Sequence, residues 1–176
     1  MYITSQTKMR SKISHAIQKR ENPKDVFYTP LEVVKIHIGL INHTADDVWF
    51  DPFYGQGIYF NNFPTEKKDW TEIALEKDFF KYEGTPTIIC SNPPYSMIDK
   101  VLEKSVSLKP RIISYLVLHG AMTTKRMEFM RNNNYGLTSI HTTKVFKWYG
   151  MSEIVTFTLG ASWDNCKISF DRVVHH

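Results

Sequence analysis

Residues 48–57 have the sequence VWFDPFYGQG, and this stretch decides the predicted fold class. Its apolar start leads into Asp51 and then into a turn with Gly55 and Gly57, which is how a buried parallel strand ends before a helix. The two glycines let the backbone approach a ligand closely, and the carboxylate offers an acceptor to a cationic group. We therefore predict the first strand–turn–helix unit of an α/β domain here, with a ligand site at the strand end.

Strand and helix signals alternate on both sides of this stretch. The pattern predicts strands at residues 71–75, 87–91 and 112–118, helices at residues 29–42, 96–108 and 123–132, and a hairpin from residues 137–148 and 153–159 that turns at Tyr149 and Gly150. This order is typical of a mostly parallel central sheet with helices on both faces and a C-terminal antiparallel hairpin. Ligands bind such sheets at the carboxyl ends of the strands, so residues 51–57 and 92–95 are expected to face one cleft.

Two helix starts carry capping signals. Thr29 at the N-cap, Pro30 at the first helical position and Glu32 at the third form a capping box, and Ser96 with Asp99 forms a second start signal. The apolar residues of the first helix that fall on one face, and that we expect to be buried, are Leu31, Val34, Ile38 and Ile41.

Composition excludes several classes of protein. The chain has 176 residues, 42% of them hydrophobic, which suits one domain, so we predict a basic segment at residues 1–24 and a single catalytic domain at residues 25–176. Cys90 and Cys166 lack the spacing of a disulfide framework or a metal site, so no metal is expected. The apolar runs are too short for a membrane span and the first residues lack a secretion signal, which favours a cytoplasmic protein.

Positive charge is concentrated near the N-terminus. The net charge is +4, and residues 1–24 include Lys8, Arg10 and Lys12 among six basic residues against Glu21 alone. Such a segment fits the phosphates of a nucleic acid, and it fits a solvated helix face equally well.

Asn92-Pro93-Pro94-Tyr95 is the most specific signal in the chain. Two prolines stiffen the segment. The side-chain oxygen of Asn92 and the carbonyl of Pro93 are two acceptors for the hydrogens of a planar amino group, and Tyr95 offers a ring for stacking. Acceptors placed in this way stabilise the positive charge that grows on an amino nitrogen during methyl transfer. The alternative is a proline-rich strand terminator without chemistry.

With these motifs in this order, residues 25–160 resemble the class I S-adenosylmethionine-dependent DNA methyltransferases that modify the exocyclic N6 amino group of adenine, which have a Rossmann-like fold. The segment DVFYTP at residues 25–30 resembles the family's upstream cofactor segment, and residues 51–57 resemble its glycine loop. Residues 92–95 match its catalytic motif, NPPY, residue for residue. The cofactor-binding residues that the resemblance implies in the first two segments are Tyr28, Thr29, Pro30, Asp51 at the ammonium end of the cofactor, Pro52, Phe53, Gly55 and Gly57.

Between these motifs, the resemblance implies that Glu72 binds the cofactor ribose, that Asp78 binds its adenine amino group and that Phe79 packs on that ring. Glu76 is a rival for the ribose, and the acids are otherwise surface charges. Too few residues separate Glu72 from Asp78 for a full strand–helix–strand unit, so this edge of the sheet is expected to be abbreviated.

Recognition of DNA is expected to depend on parts outside a dedicated domain. Only 16 residues follow Gly160, which leaves no room for the target-recognition domain of larger relatives and resembles small phage- or virus-encoded forms. We expect DNA contacts from the N-terminal lysines and arginine named above and from Lys125 and Arg126, or recognition through a second copy or another subunit. The resemblance places Phe146 near a flipped base, although a hairpin core residue is the alternative.

Two other functions stay open. The same tetrapeptide chemistry serves methyltransferases that act on RNA or on protein glutamine; the FYTP segment at residues 27–30 favours DNA. A non-catalytic nucleic-acid-binding subunit with this fold is the second alternative, and the intact tetrapeptide argues against it. Restriction–modification, host regulation and genome marking remain equally open roles.

Overall fold

The computed structural model describes residues 28–145 and 150–174. The predictions for residues 1–24, including Lys8, Arg10 and Lys12, and those for Phe146 and the turn at Tyr149 lie outside these residues.

A seven-stranded sheet forms the centre of the described structure. Its strands are β1 (Trp49–Asp51), β2 (Lys68–Trp70), β3 (Ile88–Ser91), β4 (Ile112–Leu118), β5 (Tyr135–Lys144), β6 (Ser152–Leu159) and β7 (Lys167–Val174). They adjoin in the order β2-β1-β3-β4-β6-β5-β7. The pairings from β2 to β4 are parallel, β6 runs antiparallel to both of its neighbours, and β7 runs parallel to β5. The predicted mostly parallel sheet with an antiparallel C-terminal strand pair is confirmed.

Helices cover both faces of the sheet, as predicted. They are α1 (Leu31–Gly39), α2 (Ile58–Asn62), α3 (Ile98–Ser107) and α4 (Thr124–Asn132). Successive side chains of a strand point to opposite faces. Phe50 and its neighbours on one face pack with α3 and α4, whereas Trp49 and its neighbours on the other pack with α1 and α2. The short central strands β1 and β3 are therefore buried on both faces, and their residues are apolar except for Asp51 and Ser91 at the carboxyl ends.

The first helix begins differently from the prediction. Pro30 is its N-cap, in an extended conformation with φ −61° and ψ 147°, and no side chain caps the helix. The capping box is therefore wrong: Thr29 lies one residue too early, and its hydroxyl accepts a hydrogen bond from Asn92 instead. Leu31 is exposed rather than buried, and His37 takes a place on the buried face. The helix also ends at Gly39, short of Asn42.

The edge around β2 also corrects the prediction of a strand at residues 71–75. The strand lies three residues earlier, where Lys68 and Asp69 give no apolar signal, and residues 73–75 form a 3₁₀ turn. A second 3₁₀ turn at residues 79–81 follows. Two short turns thus stand where a full strand–helix unit would be, and the expected abbreviated edge is confirmed.

The start of α3 and the C-terminal end differ from expectation as well. A 3₁₀ turn, Tyr95–Met97, precedes α3, whose N-cap is Met97 without a side-chain cap. Asp99 is instead bonded to Arg126, so the predicted Ser96–Asp99 start signal is wrong. Strand β7 was not predicted. Within the described residues, no helix is long and apolar enough to cross a membrane.

Candidate active site

The carboxyl ends of β1 and β3 lie side by side and bring two predicted motifs together. Asp51 is the last residue of β1, and Asn92 directly follows β3. Asp51 Oδ1 accepts hydrogen bonds from Ser91 Oγ at 2.6 Å and from the backbone N of Phe53 at 3.2 Å. One buried carboxylate therefore ties the glycine loop to the strand that carries the tetrapeptide.

A cavity of about 440 Å³ opens above these strand ends. It is lined by residues 28–29, 52–56, 58–59, 72–73, 78–80, 92–94 and Met97. The upstream segment, the glycine loop, the acidic region and the tetrapeptide, which are widely separated in the chain, thus share one space. The predicted site residues among the lining are Tyr28, Thr29, Pro52, Phe53, Gly55, Glu72, Asp78, Phe79, Asn92, Pro93 and Pro94.

Four of the predicted cofactor-binding and catalytic residues do not line this cavity: Pro30, Asp51, Gly57 and Tyr95. Pro30 caps α1, and Asp51 lies fully buried beneath the loop. Gly57 is the N-cap of α2, where the glycine loop ends. Tyr95 begins the 3₁₀ turn and is partly buried, so its stacking role stays a prediction.

The two loop glycines are required for different reasons. Gly57 has φ +77°, and a Cβ there would lie 2.5 Å from the ring of Tyr54. Gly55 has φ +53°, and a Cβ there would point towards Tyr28 at 3.8 Å, across the cavity lining. Gly57 therefore allows the loop to fold against its own aromatic residue, whereas Gly55 is required only for its left-handed backbone conformation, because a Cβ there would make an ordinary contact.

Glu72 and Asp78 are the two predicted acidic residues that line the cavity, and Glu72 is the one that contacts the glycine loop. Its Oε2 accepts from the backbone N of Gly55 at 2.9 Å, and its Oε1 accepts from that of Ala74 at 3.1 Å. Glu76 is exposed at the end of the same 3₁₀ turn and does not line the cavity. Asp78 caps the next turn by accepting from Phe80 N at 2.9 Å. Of the two rivals for a ribose, only Glu72 is therefore in position, and the role itself stays a prediction.

The buried carboxylate of Asp51 is short of partners. Its Oδ2 has no hydrogen-bond partner among residues 28–145 and 150–174. Burial raises the pKa of Asp51 to about 7, and the hydrogen bond from Ser91 opposes this only in part. A buried acceptor in this state favours a cationic group nearby.

The carboxamide of Asn92 is held from one side. Its Nδ2 donates to Thr29 Oγ1 at 3.1 Å, and Thr29 is itself buried. This orientation turns the side-chain oxygen away from Thr29. The Pro94 carbonyl accepts from Met97 N at 3.1 Å and so belongs to the turn.

Sequence reasoning missed several lining residues: Tyr54, Gln56, Ile58, Tyr59, Ile73, Phe80 and Met97. Most of them directly adjoin a predicted residue, so sequence proximity was the available signal. Ile73 is 71% exposed, which strand alternation could not predict because its segment is a 3₁₀ turn.

The structure does not bring Lys125 and Arg126 to the cavity. Arg126 Nε donates to Asp99 Oδ1 at 2.7 Å, and this guanidinium holds the pKa of Asp99 below its usual range. Lys125 is exposed on α4. Arg126 thus joins α3 to α4, and phosphate contacts by either residue remain a prediction. No cluster of three or more His, Cys, Asp or Glu side chains in the described part of the chain could hold a metal ion.

No protein-family model matches this chain, and no curated protein does. Solved structures are similar to it at low sequence identity. A proposed RNA methyltransferase from Pyrococcus horikoshii has a TM-score of 0.65 at 15% identity, over 86% of this chain and 100% of that one. The type IIG restriction endonuclease BpuSI has a TM-score of 0.61 at 15% identity, over 91% of this chain and 28% of that one. The modification subunit of a proposed type I restriction enzyme from Vibrio vulnificus YJ016 has a TM-score of 0.56 at 12% identity, over 94% of this chain and 51% of that one. Together with the strand order, these similarities show that the chain has the Rossmann-like fold of class I methyltransferases.

Proposed function

We propose that this chain transfers the methyl group of S-adenosylmethionine to the N6 amino group of adenine in DNA. The observation that carries the proposal is that residues 92–94 and the glycine loop line the same cavity of about 440 Å³. A methyl donor and an amino-group acceptor need to meet in one space, and this cavity provides it.

The cavity suits S-adenosylmethionine in its size and in the side chains that it offers to the cofactor's functional groups. Its volume lies within the range of about 300–1,000 Å³ that small-molecule sites occupy. The cofactor carries an ammonium group, for which the carboxylate of Asp51, buried and not itself part of the cavity lining, is an electrostatic complement at short range. Glu72 and Asp78 offer carboxylates for hydroxyl and amino groups, and Phe79 offers an aromatic surface. When bound, the cofactor supplies an electrophilic methyl group.

The tetrapeptide supplies the chemistry on the acceptor side. The lone pair of an adenine amino group is delocalised into the ring, so the nitrogen is a poor nucleophile. Asn92 Oδ1 and the Pro93 carbonyl accept its two hydrogens and favour a more tetrahedral nitrogen. Both oxygens then stabilise the positive charge that develops on that nitrogen. Tyr95 stacks on the base.

We favour DNA as the substrate because several of the structurally similar proteins are restriction enzymes or their components. Besides BpuSI and the Vibrio vulnificus subunit, the M protein of the type I restriction enzyme EcoKI has a TM-score of 0.53, over 85% of this chain and 47% of that one. By name, these three proteins are a restriction endonuclease and two components of type I restriction enzymes. The chain spans 51%, 47% and 28% of the Vibrio vulnificus, EcoKI and BpuSI chains, respectively. Because the Vibrio vulnificus protein is a modification subunit by name, we propose that a second copy or a separate subunit contributes to recognition of the site.

The test is to incubate the protein with labelled S-adenosylmethionine and with DNA, RNA or protein separately, and to identify the methylated atom. We expect label on adenine N6 of DNA. Asn92→Ala should lower the rate at least about 100-fold, which is the usual effect of removing one preorganised hydrogen-bonding group, while calorimetry shows nearly unchanged cofactor affinity. Asn165→Ala, an exposed asparagine away from the cavity, is the matched control.

A second substrate has support from one observation. The Pyrococcus horikoshii protein, described as a proposed RNA methyltransferase, is covered over its whole length. Label on RNA, or on a protein glutamine, would replace the DNA assignment while keeping the cavity chemistry. No heat of cofactor binding in the calorimeter would indicate a non-catalytic subunit and contradict the proposal as a whole.

A further inference from the structure

Strand β7 forms one edge of the sheet. It has β5 on one side and, among residues 28–145 and 150–174, no strand on the other. The backbone N–H and C=O groups along such an edge readily pair with a further strand. The opposite edge is protected, because β2 is only three residues long and begins with Lys68 and Asp69. By contrast, β7 is eight residues long and contains no proline.

One face of β7 holds the strand onto the sheet. Ser169 Oγ is 2.8 Å from His141 Nδ1, and Asp171 Oδ2 accepts a hydrogen bond from Thr143 Oγ1 at 2.8 Å. Both partners lie on β5. These contacts fix which residues of β7 face the sheet's neighbouring polar side chains and which point to the other side.

The other face of β7 presents two large apolar side chains to solvent. Ile168 is 79% exposed and Phe170 is 67% exposed. They are two positions apart, so they lie on the same side of the strand. Exposed apolar side chains beside an unpaired strand edge are typical of a surface that another chain covers.

The sequence of this strand is complementary to itself. Residues 167–171 read Lys-Ile-Ser-Phe-Asp, a basic and an acidic residue placed symmetrically about Ser169 with an apolar residue between each and the centre. If two copies of β7 pair antiparallel about Ser169, Lys167 lies opposite Asp171 of the second copy, and Ile168 lies opposite Phe170. Cross-strand pairs of opposite charge and of apolar side chains both stabilise a sheet.

The charges also select this register over its neighbours. A shift of two residues keeps each side chain on its face, but it sets Asp171 opposite Ser169 or Asn165 of the second copy, both of which are uncharged. The opposite charges therefore meet only when Ser169 is at the centre.

We propose that β7 is the interface at which a second copy of this chain binds, with the two β7 strands antiparallel and a two-fold axis through Ser169. The two sheets then join into one, and each exposed apolar side chain of β7 is paired. Such an interface uses the same patch on both copies, which is the usual form of a two-fold dimer. The inference does not depend on the proposed methyl transfer.

This pairing decides where the two cavities lie. Strand β7 runs in the same direction as β1 and β3, because β5 and β4 are both antiparallel to β6 and β7 is parallel to β5. When the two β7 strands are antiparallel, the carboxyl ends of β1 and β3 point in opposite directions in the two copies. A second copy bound through β7 therefore adds no residue to the cavity of the first.

The mass of the full chain in solution is the first test. We expect sedimentation equilibrium to give twice the 20.6 kDa of one chain, with dissociation on dilution. Phe170→Lys should raise the dissociation constant at least about tenfold, because two symmetry-related apolar pairs are lost at once. Circular dichroism checks that the variant stays folded. The matched control is Leu75→Lys, which puts the same charge on an exposed leucine near the β2 edge and should leave the mass unchanged.

Charge reversal tests the proposed contact between opposite charges. Lys167→Glu sets a carboxylate opposite Asp171 of the second copy, so the dimer should dissociate more readily than in Lys167→Gln. High salt should weaken the wild-type dimer and narrow the difference between these two variants. Equal dissociation constants for the two variants would contradict the register.

Disulfide cross-linking tests the register directly, in a Cys166→Ser background. Chains with Ile168→Cys mixed with chains with Phe170→Cys should be linked under oxidation by glutathione disulfide, because directly opposite Cβ atoms are about 4.5–5.5 Å apart. Either variant alone should link far less, since identical residues are then diagonal neighbours about 7–8 Å apart. The linked peptides are identified by mass spectrometry.

These measurements stand apart from the labelling experiment. A mass of one chain at every concentration, a dimer that Phe170→Lys leaves unchanged, or equal cross-linking in mixed and unmixed chains would overturn the inference, whatever is methylated. If a substrate is methylated, the rate per chain should be the same in Phe170→Lys as in the wild type, because each cavity is complete in one copy. A rate that falls in parallel with the dimer would contradict the opposed cavities.

Discussion

Gly57→Ala tests the loop geometry on which the site depends. Gly57 has φ +77°, in the left-handed region, and the new methyl group would lie 2.5 Å from both Cζ and the hydroxyl oxygen of Tyr54. That ring cannot move without loss, because its centroid is 4.4 Å from that of Trp70 and 5.8 Å from that of Phe60. The substitution therefore forces either the backbone or an aromatic cluster to change.

The magnitude follows from these two effects. A left-handed conformation costs an alanine about 1 kcal/mol relative to glycine. Displacing Tyr54 from Trp70 costs about 0.5–1.5 kcal/mol. We therefore expect Gly57→Ala to lower the free energy of unfolding by about 2 kcal/mol, and to weaken binding of S-adenosylmethionine because Tyr54 and Gly55 line the cavity.

Urea unfolding followed by circular dichroism, together with calorimetry of cofactor binding, would measure both effects. The matched control is Gly39→Ala, in α1, where a Cβ meets no atom within 4 Å and φ is not positive. A helical alanine there should raise the free energy of unfolding by about 0.5–1 kcal/mol. In a Tyr54→Ala background, Gly57→Ala should cost only the backbone part. The reasoning is refuted if Gly57→Ala and Gly39→Ala have the same stability, or if Tyr54→Ala brings no relief.

Two further predictions concern ionisable groups. Because burial raises the pKa of Asp51 to about 7 in the folded state, above its unfolded value of 3.8, its contribution to stability decreases as pH rises from about 4 to 7. Asp51→Asn should therefore gain stability relative to the wild type across that window, by up to about 4 kcal/mol, in urea unfolding at each pH; a constant difference would contradict the cause. Burial alone would raise the pKa of Asp47, but hydrogen bonds from Thr44 and Arg111 lower it to about 2. The ionised Asp47 therefore stabilises the fold above pH 4, and this stabilisation is lost as the pH falls towards 2. Arg111→Met should lower the free energy of unfolding by about 1–2 kcal/mol at neutral pH, which is less than for a fully buried ion pair because the Arg111 side chain is 41% exposed. The control is Lys125→Met, at an exposed position, which should change the free energy of unfolding little.

The central strands were predictable because their signal is local. Residues 88–91 and 112–118 are largely apolar runs that are buried on both faces. Strands of a parallel sheet covered on both faces generally have such nearly continuous hydrophobic sequences. The glycine loop and the tetrapeptide were equally visible, since each is a contiguous set of unusual residues. Strand β2 was misplaced because a three-residue edge strand of Lys68, Asp69 and Trp70 carries no hydrophobic pattern. Strand β7 exposes Ile168 and Phe170, so burial gave no signal for it either.

The capping box is the most instructive error. Thr29, Pro30 and Glu32 have the types and spacing of a helix start, and local reasoning assigned the hydroxyl of Thr29 to the helix. In the folded chain that hydroxyl is bonded to Asn92, 63 residues away. Departure from a local rule thus marks a residue of the candidate site, as is expected where a side chain is engaged by a distant partner.

The sequence by itself determined the alternation of strands and helices, the two motifs at strand ends and the amino-group chemistry they suggest, because each depends on residues that are neighbours in the chain. Only the tertiary structure decided that Glu72 rather than Glu76 reaches the cavity, that Asp51 lies beneath it, and that Thr29 holds Asn92. Those outcomes depend on where parallel strands place residues dozens of positions apart, and on which buried polar groups are left to satisfy one another, neither of which has a periodic signature along the chain.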